Sequence, residues 1–191
     1  MIPYIYIMLT LREIHTSDSA YPWLEQLWLA SFPNNERRDT EAQRYNTDVR
    51  TNFHCLLAED DGTPVGFITY WHFGSFCYGE HLATDPACRN HGYGARILAA
   101  LRALLDQQYA ASMPFVLEVE MPADDLSRRR IAFYERNDFT LWRDCAYMQP
   151  PYRATDTPLP MLLMAQGSLV PEQDFSRVKA TIHREVYGVN L

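Results

Sequence analysis

Four cysteines in 191 residues, Cys55, Cys77, Cys88 and Cys145, are too few for a disulfide-held scaffold. None of them is spaced C-x-x-C, so the chain offers no paired thiolates for zinc, and no metal is expected. Reduced thiols and a cytoplasmic location are the simple expectation. No apolar run approaches the length of a membrane-spanning helix, so no membrane partner is expected. The opening Met1–Leu9 is apolar but has neither a basic n-region nor a small-residue cleavage site. It reads as a tail leading into the first strand, with Met8 as an alternative start. There is no basic excess either. A formal net charge of −7 argues against a nucleic-acid surface and is compatible with a cationic, amine-bearing partner. Internal repeats and low-complexity segments are absent.

What the chain does have is a hydrophobic content of 47% and four tryptophans, enough to build the core of one domain over residues 1–191. Leu9–His15 reads as a first strand. Ser17, Asp18 and Ser19 offer an N-cap, and Trp23, Leu24, Leu27, Trp28 and Phe32 recur at helical spacing, so a helix is expected over about residues 20–31. Glu36–Val49 is polar and reads as an exposed helix or a loop. Phe53–Glu59 and Pro64–Phe73 are strands joined by Asp60-Asp61-Gly62-Thr63, a hairpin turn in which glycine supplies a positive φ. Phe76–Thr84, Phe115–Glu120, Phe139–Met148 and Leu159–Gln166 are further strands. Ile97, Leu98, Leu101, Leu104 and Leu105 mark a helix face between them, and Pro171 opens a last amphipathic helix to about Tyr187.

The most informative stretch is Arg89-Asn90-His91-Gly92-Tyr93-Gly94. It lies between an apolar run ending at Asp85-Pro86 and the helix that starts near Ala95. A strand feeding a glycine-bearing loop that opens a helix is suited to holding phosphate. The glycines let backbone approach the ligand, and the first-turn N–H groups are unpaired donors at the positive end of the helix dipole. The loop is not a Walker loop, because no Gly-Lys is present, nor a dinucleotide fingerprint, because Ile97 stands where a third glycine belongs. The pattern that fits is Arg/Gln-x-x-Gly-x-Gly/Ala. About forty residues later comes Arg128-Arg129-Arg130-Ile131-Ala132-Phe133-Tyr134-Glu135-Arg136-Asn137-Asp138-Phe139.

These two segments, in this order, resemble the two hallmarks of the GNAT acetyltransferase superfamily: the acyl-CoA pyrophosphate loop, and a helix ending in Phe/Leu-Tyr-Glu-Arg/Lys-x-Gly-Phe. The resemblance spans residues 9–166 in organisation and 77–139 in motif, leaving 167–191 as a C-terminal extension. Two positions depart from the pattern. Ser127 stands where many relatives carry asparagine, seven residues before the tyrosine, and Asp138 stands where glycine usually ends the helix. Asn137 is then the residue expected to take the left-handed cap.

The resemblance implies a single-domain α/β (α+β) fold: a mixed, mostly antiparallel sheet of about seven strands with helices on both faces. The extra C-terminal helix opened by Pro171 exceeds a minimal domain of that kind and is expected to pack on the sheet or to mediate a homodimer. It implies transfer of an acetyl group from acetyl-CoA, as cosubstrate, to a primary amine by direct attack in a ternary complex. The acceptor would be a small molecule, an aminoglycoside-like polyamine or a peptide. The pyrophosphate is expected on the backbone of Arg89, Asn90, His91, Gly92, Tyr93, Gly94 and Ala95, and the pantetheine arm on Leu82, Ala83 and Thr84, with the Leu82 N–H polarising the thioester carbonyl. Tyr134 is the expected general acid, since a phenol of pKa about 10 stays protonated and can donate to a thiolate whose conjugate acid lies near about 8.5.

Strand alternation places Tyr78, Glu80, Leu82 and Thr84 on one face and His81 on the other. Glu80 is the leading candidate base, directly or through water, because several relatives carry their base on this strand; its alternative role is as a partner for an arginine or an anchor for the substrate ammonium. Glu118 or Glu120 on the next strand is the substitute, both opposite Phe115, Leu117 and Val119. One arginine of the Arg128–Arg130 run could reach the 3′-phosphate of CoA. Trp23, Trp28 and Phe32 are core residues or an acceptor wall. A catalytically silent acyl-CoA-binding sensor or interaction module is the rival from another class.

Overall fold

A computed structural model describes residues 9–109 and 112–189 of the protein. The expectations for the opening tail, Met8 among them, fall mostly on residues 1–8, outside the described span. Five helices and eight strands succeed one another in chain order: β1 Thr10–Glu13, α1 Tyr21–Ser31, α2 Thr40–Val49, β2 Phe53–Asp60, β3 Thr63–His72, β4 Cys77–Thr84, α3 Tyr93–Gln108, β5 Phe115–Glu120, α4 Asp125–Glu135, β6 Thr140–Leu141, β7 Tyr147–Gln149, β8 Leu159–Gln166 and α5 Pro171–Glu185. The strands form one sheet in the order β1-β2-β3-β4-β5-β8-β6, with β7 also on β8. Every pairing is antiparallel except β4 with β5.

The period-two strands bury opposite faces under different helices. On one face Leu24 and Trp28 of α1 and Val178 and Ile182 of α5 pack over Phe67, Trp71, Val116 and Leu163. On the other, Ile97, Leu101 and Leu105 of α3 and Ile131 of α4 pack over Ile68, Phe115, Leu117 and Met164. The C-terminal extension therefore covers the sheet, one of the two roles expected of it. The segment 36–49, read as helix or loop, is a helix from Thr40, capped by the Asp39 carboxylate accepting from the Ala42 N–H at 2.7 Å.

Three sequence expectations are corrected. The single strand Phe139–Met148 is two short strands on the same edge of β8. Leu141 pairs with Met164 and Tyr147 with Met161, so six residue steps face three, and the excess residues leave the ladder as a turn. At the end of α4 the left-handed residue is Asp138, with φ 65, and not Asn137. Asn137 is held in place by its side chain donating to the Phe133 carbonyl at 2.7 Å. Lastly, β4 does not alternate along its whole length. Thr69 pairs with His81 and Tyr70 with Gly79, so Glu80 is an extra residue without a partner on β3. This bulge reverses the parity of the strand from His81 onward. Tyr78, His81 and Ala83 face the α1 side, with the His81 ring set edge-on against Trp28 and Phe32. Leu82 turns to the α3 side, away from Tyr78.

The bulge coincides with a parting of strands. Parallel pairing of β4 with β5 covers only Cys77 with Phe115, Tyr78 with Val116 and Gly79 with Leu117. Beyond Gly79 the backbone of β4 has no neighbour on that side, and a wedge-shaped opening runs into the sheet.

Candidate active site

The loop before α3 is built as an anion cradle. Asn90 and Gly92 take left-handed conformations, with φ 64 and 77, and Gly92 is the N-cap of the helix. The first intrahelical bond is from the Arg96 N–H to the Gly92 carbonyl at 3.1 Å. Among the described residues, the backbone N–H groups of residues 90–95 make no hydrogen bond within the protein. The Asp60 carboxylate fixes the helix start from below, accepting from the Tyr93 hydroxyl at 2.6 Å and from both Arg96 guanidinium nitrogens at 3.0 and 2.9 Å. Gly94 lets α4 approach, since a Cβ there would stand 3.1 Å from the Phe133 ring. A cleft of about 590 Å³ opens over the loop, lined by Leu82, Thr84, Arg89, Gly92, Tyr134 and Arg136 among others. Arg89 and Arg136 pair with no carboxylate among the described residues, leaving two positive charges at this cleft.

A second cavity, of about 520 Å³, lies within the wedge between β4 and β5. Leu82, Thr84, Arg89, Arg130 and Tyr134 line both spaces, so the two meet at Tyr134. Burial raises the Tyr134 phenol to about 12, against the opposing pull of Arg130. Ser127 and Asp124 cap α4 reciprocally, which sets the helix that carries Tyr134.

Two carboxylates in the second cavity have opposite environments. The Glu80 side chain is 1% exposed and accepts from four donors. Both guanidinium nitrogens of Arg38 donate to it, one at 2.9 Å. The Trp71 indole N–H donates at 3.1 Å and the Tyr152 hydroxyl at 2.8 Å. Burial alone would raise its pKa, but the Arg38 charge, the nearby His81 and the hydrogen bonds from Arg38 and Tyr152 together outweigh that and hold Glu80 below the usual carboxylate range. Arg38 is itself stacked over Phe53, Trp71 and Tyr152.

Among the described residues Glu118 has no cation partner. It accepts from the hydroxyls of Tyr147 and, at 2.8 Å, Tyr187. Here burial outweighs the phenols, and its pKa rises to about 7. The third group near these, His81, is pushed down to about 4 by burial despite the neighbouring Glu80, so it is neutral at pH 7.

The sequence-derived site residues Leu82, Ala83, Thr84, Arg89, Asn90 and Gly92 through Ala95 thus line one connected opening with Tyr134, Glu80 lines its inner part, and His91 lines neither space. The arginine-partner role set beside Glu80 describes its geometry. Phe32 lines the inner cavity, while Trp28 is core. Arg130 faces both spaces paired with Glu120, and Arg128 and Arg129 bond locally to Pro122 and Asp125. Arg38, Tyr147, Tyr152 and Tyr187 were not anticipated. They come from the turn before α2, from β7, from the β7–β8 loop and from the residues after α5, and no spacing in the sequence relates them.

Among the described residues, no cluster of three or more His, Cys, Asp or Glu is placed to hold a metal ion, and no helix is long and apolar enough to cross a membrane. A family model described as an acetyltransferase (GNAT) domain matches residues 51–141. A solved structure from Bacteroides thetaiotaomicron, assigned to the GNAT acetyltransferase family, is 46% identical over 95% of this chain and 99% of that one, with a TM-score of 0.88. The ribosomal-protein-S18-alanine N-acetyltransferase of Escherichia coli is 21% identical, over 87% of this chain and 98% of that one, with a TM-score of 0.59. An acyl-CoA N-acyltransferase structure from Klebsiella pneumoniae is 20% identical, over 85% and 99%, with a TM-score of 0.53. At those identities the last two speak for the fold alone. No match was found among curated proteins.

Proposed function

The chain belongs to the GNAT acetyltransferase family and is an acyltransferase, and from that premise we propose that it moves the acetyl group of acetyl-CoA directly to a primary amine. The observation that carries this reading is the meeting of two spaces at Tyr134. One has free backbone N–H groups and two unpaired arginines, suited to pyrophosphate. The other ends at carboxylates and phenols, suited to an amine. CoA lies with its pyrophosphate on residues 90–95 and its pantetheine along the unpaired edge of Leu82–Thr84. The Leu82 N–H donates to the thioester oxygen, and Tyr134 gives its proton to the departing thiolate.

Of the candidate bases, Glu118 takes the role ahead of Glu80. A general base works best with a pKa near the working pH, and Glu118 lies at about 7. Glu80 is held ionised by Arg38 and has its oxygens occupied by four donors, so it serves as the anchor of the chamber wall. Glu118 removes a proton from the ammonium, the neutral amine attacks the carbonyl, the C–S bond breaks as Tyr134 protonates the thiolate, and the second proton on nitrogen passes to the Tyr134 phenolate, so thiol and amide leave.

Thiol release from acetyl-CoA over a panel of primary amines tests the reading. CoA binding without turnover of any amine would mark a silent acyl-CoA-binding module instead. If Glu118 is the base, kcat/KM rises with pH through about 7, and that limb is lost in Glu118→Gln. The profile is taken with an alkyl amine such as 2-phenylethylamine, whose own titration lies well above it, near about 10. A limb unchanged in Glu118→Gln returns the role to Glu80 or Glu120. The same carboxyl acts on stability with the opposite sign. Its folded pKa is raised, so its stabilising contribution is complete below the unfolded carboxylate's pKa and is lost as pH rises through about 7.

The loop has its own test. A β-branched residue at Gly92 must hold φ 77, a left-handed conformation costing about 1–2 kcal/mol, and its methyls stand where the ligand approaches. Gly92→Val is expected to weaken CoA binding at least about tenfold by calorimetry. Retained affinity would place the pyrophosphate elsewhere.

A further inference from the structure

The inner chamber has an unusual balance of charge. Arg130 on its wall is paired with Glu120, and Arg38, outside the lining, is paired with Glu80. Arg89, which pairs with no carboxylate among the described residues, lines both spaces, at their shared mouth. The carboxyl groups that remain are Glu118, which meets only phenols, and Glu36. The Glu36 carboxyl makes no hydrogen bond among the described residues, and burial, with Glu120 nearby, raises its pKa. A further open polar group is neutral. Gln149 is 3% exposed and lines the chamber, yet its amide makes no hydrogen bond among the described residues. Around these groups the wall is apolar and aromatic, formed by Phe32, Tyr78, Tyr152, Met161 and Tyr187.

A carboxylate or phosphate on the acceptor would enter this chamber facing two carboxyl groups, and the one lining cation without a carboxylate partner among the described residues is Arg89, at the mouth shared with the loop cleft, where the CoA pyrophosphate would take it. A buried anion without a partner is strongly disfavoured, which is discrimination by repulsion rather than by attraction. An aromatic or aliphatic body would instead lie on the ring-lined wall, and Gln149 would pair with a hydroxyl or amide dipole. Resting on the amine-acetylation reading above, we propose that the acceptor is a primary amine on an uncharged aromatic or apolar body, and that amines bearing an adjacent carboxylate or phosphate are excluded.

A matched series tests this with acetyl-CoA and thiol release: 2-phenylethylamine, phenylalanine amide, phenylalanine and spermidine. The first two share a ring and an amine, and phenylalanine adds only the anion. Phenylethylamine is more basic than phenylalanine and phenylalanine amide is less basic, so each kcat/KM is taken on the free-amine concentration. The expected result is kcat/KM at least 100-fold higher for phenylethylamine and phenylalanine amide than for phenylalanine. In Gln149→Arg, which supplies the missing cation, the ratio of amide to acid is expected to fall at least tenfold. If that variant does not fold, as judged by its thermal melt, the wild-type series alone decides. Phenylalanine within threefold of its amide, or spermidine preferred to both neutral amines, overturns the acceptor class while leaving acetyl transfer intact. No thiol release with any amine, under conditions where CoA binds, overturns the acetylation reading and the acceptor class with it.

Discussion

Tyr134→Phe is expected to slow acetyl transfer about 10²–10⁴-fold at saturating substrate, roughly 3–5 kcal/mol of barrier, while CoA affinity changes little. The reasoning is local. At about 12 the buried phenol remains protonated at every working pH, so it always carries the proton the leaving thiolate needs. It stands where the donor cleft and the inner chamber join, on a helix whose start is fixed by the Asp124–Ser127 capping box. Its ring packs against Phe133 and Phe139, contacts that phenylalanine keeps. Loss of the hydroxyl should therefore appear in kcat and not in the melting temperature. An unchanged kcat, with chemistry shown to be rate-limiting, would remove the general-acid assignment. A fall in CoA affinity equal to the fall in rate would recast Tyr134 as a donor-positioning residue.

Arg38→Met is expected to cost about 3–5 kcal/mol of folding stability, read from denaturant midpoints, because it strands the Glu80 carboxylate with only neutral donors in a site 1% exposed. The methionine keeps much of the contact with Phe53, Trp71 and Tyr152 on which the arginine is stacked, which confines the loss to charge. Adding Glu80→Gln to that variant should restore most of the loss, since a neutral pair avoids the desolvation cost of both ions. Glu80 is held below its usual pKa in the folded protein. Its contribution is therefore present above the unfolded carboxylate's pKa and is lost as the pH falls through the depressed folded value. Arg38→Met should weaken that acid sensitivity. A penalty under about 1 kcal/mol would mean that water or another cation reaches Glu80.

The parts of this molecule that sequence reasoning reached are those governed by short-range rules. The apolar spacing of Ile97, Leu101 and Leu105 marked α3, and the Asp60–Thr63 turn marked the β2–β3 hairpin. The glycine pattern before α3 marked a loop that does leave its N–H groups free. What sequence reasoning missed depends on register and on partners far along the chain. Strict alternation along β4 carried His81 and Leu82 to the wrong faces, because one unpaired residue at Glu80 is invisible to a period-two count. Glu80 was singled out as a base without its counterion, because Arg38 lies 42 positions earlier in a segment whose polarity looked like solvent exposure. The distinction between Glu80 and Glu118 rests on one guanidinium and on phenols drawn from distant parts of the chain.

The order of those parts has a consequence for synthesis. The residues of the donor cleft, from Leu82 to Asn137, emerge as one contiguous stretch. The inner chamber waits for Tyr147, Tyr152 and finally Tyr187, which comes after the last helix and supplies the 2.8 Å bond to Glu118. During translation from N- to C-terminus the loop before α3 is therefore complete well before the groups that surround Glu118. A growing chain carries the sequence of the loop cleft while still lacking part of the inner chamber, and Tyr187, beyond α5, closes that chamber around Glu118.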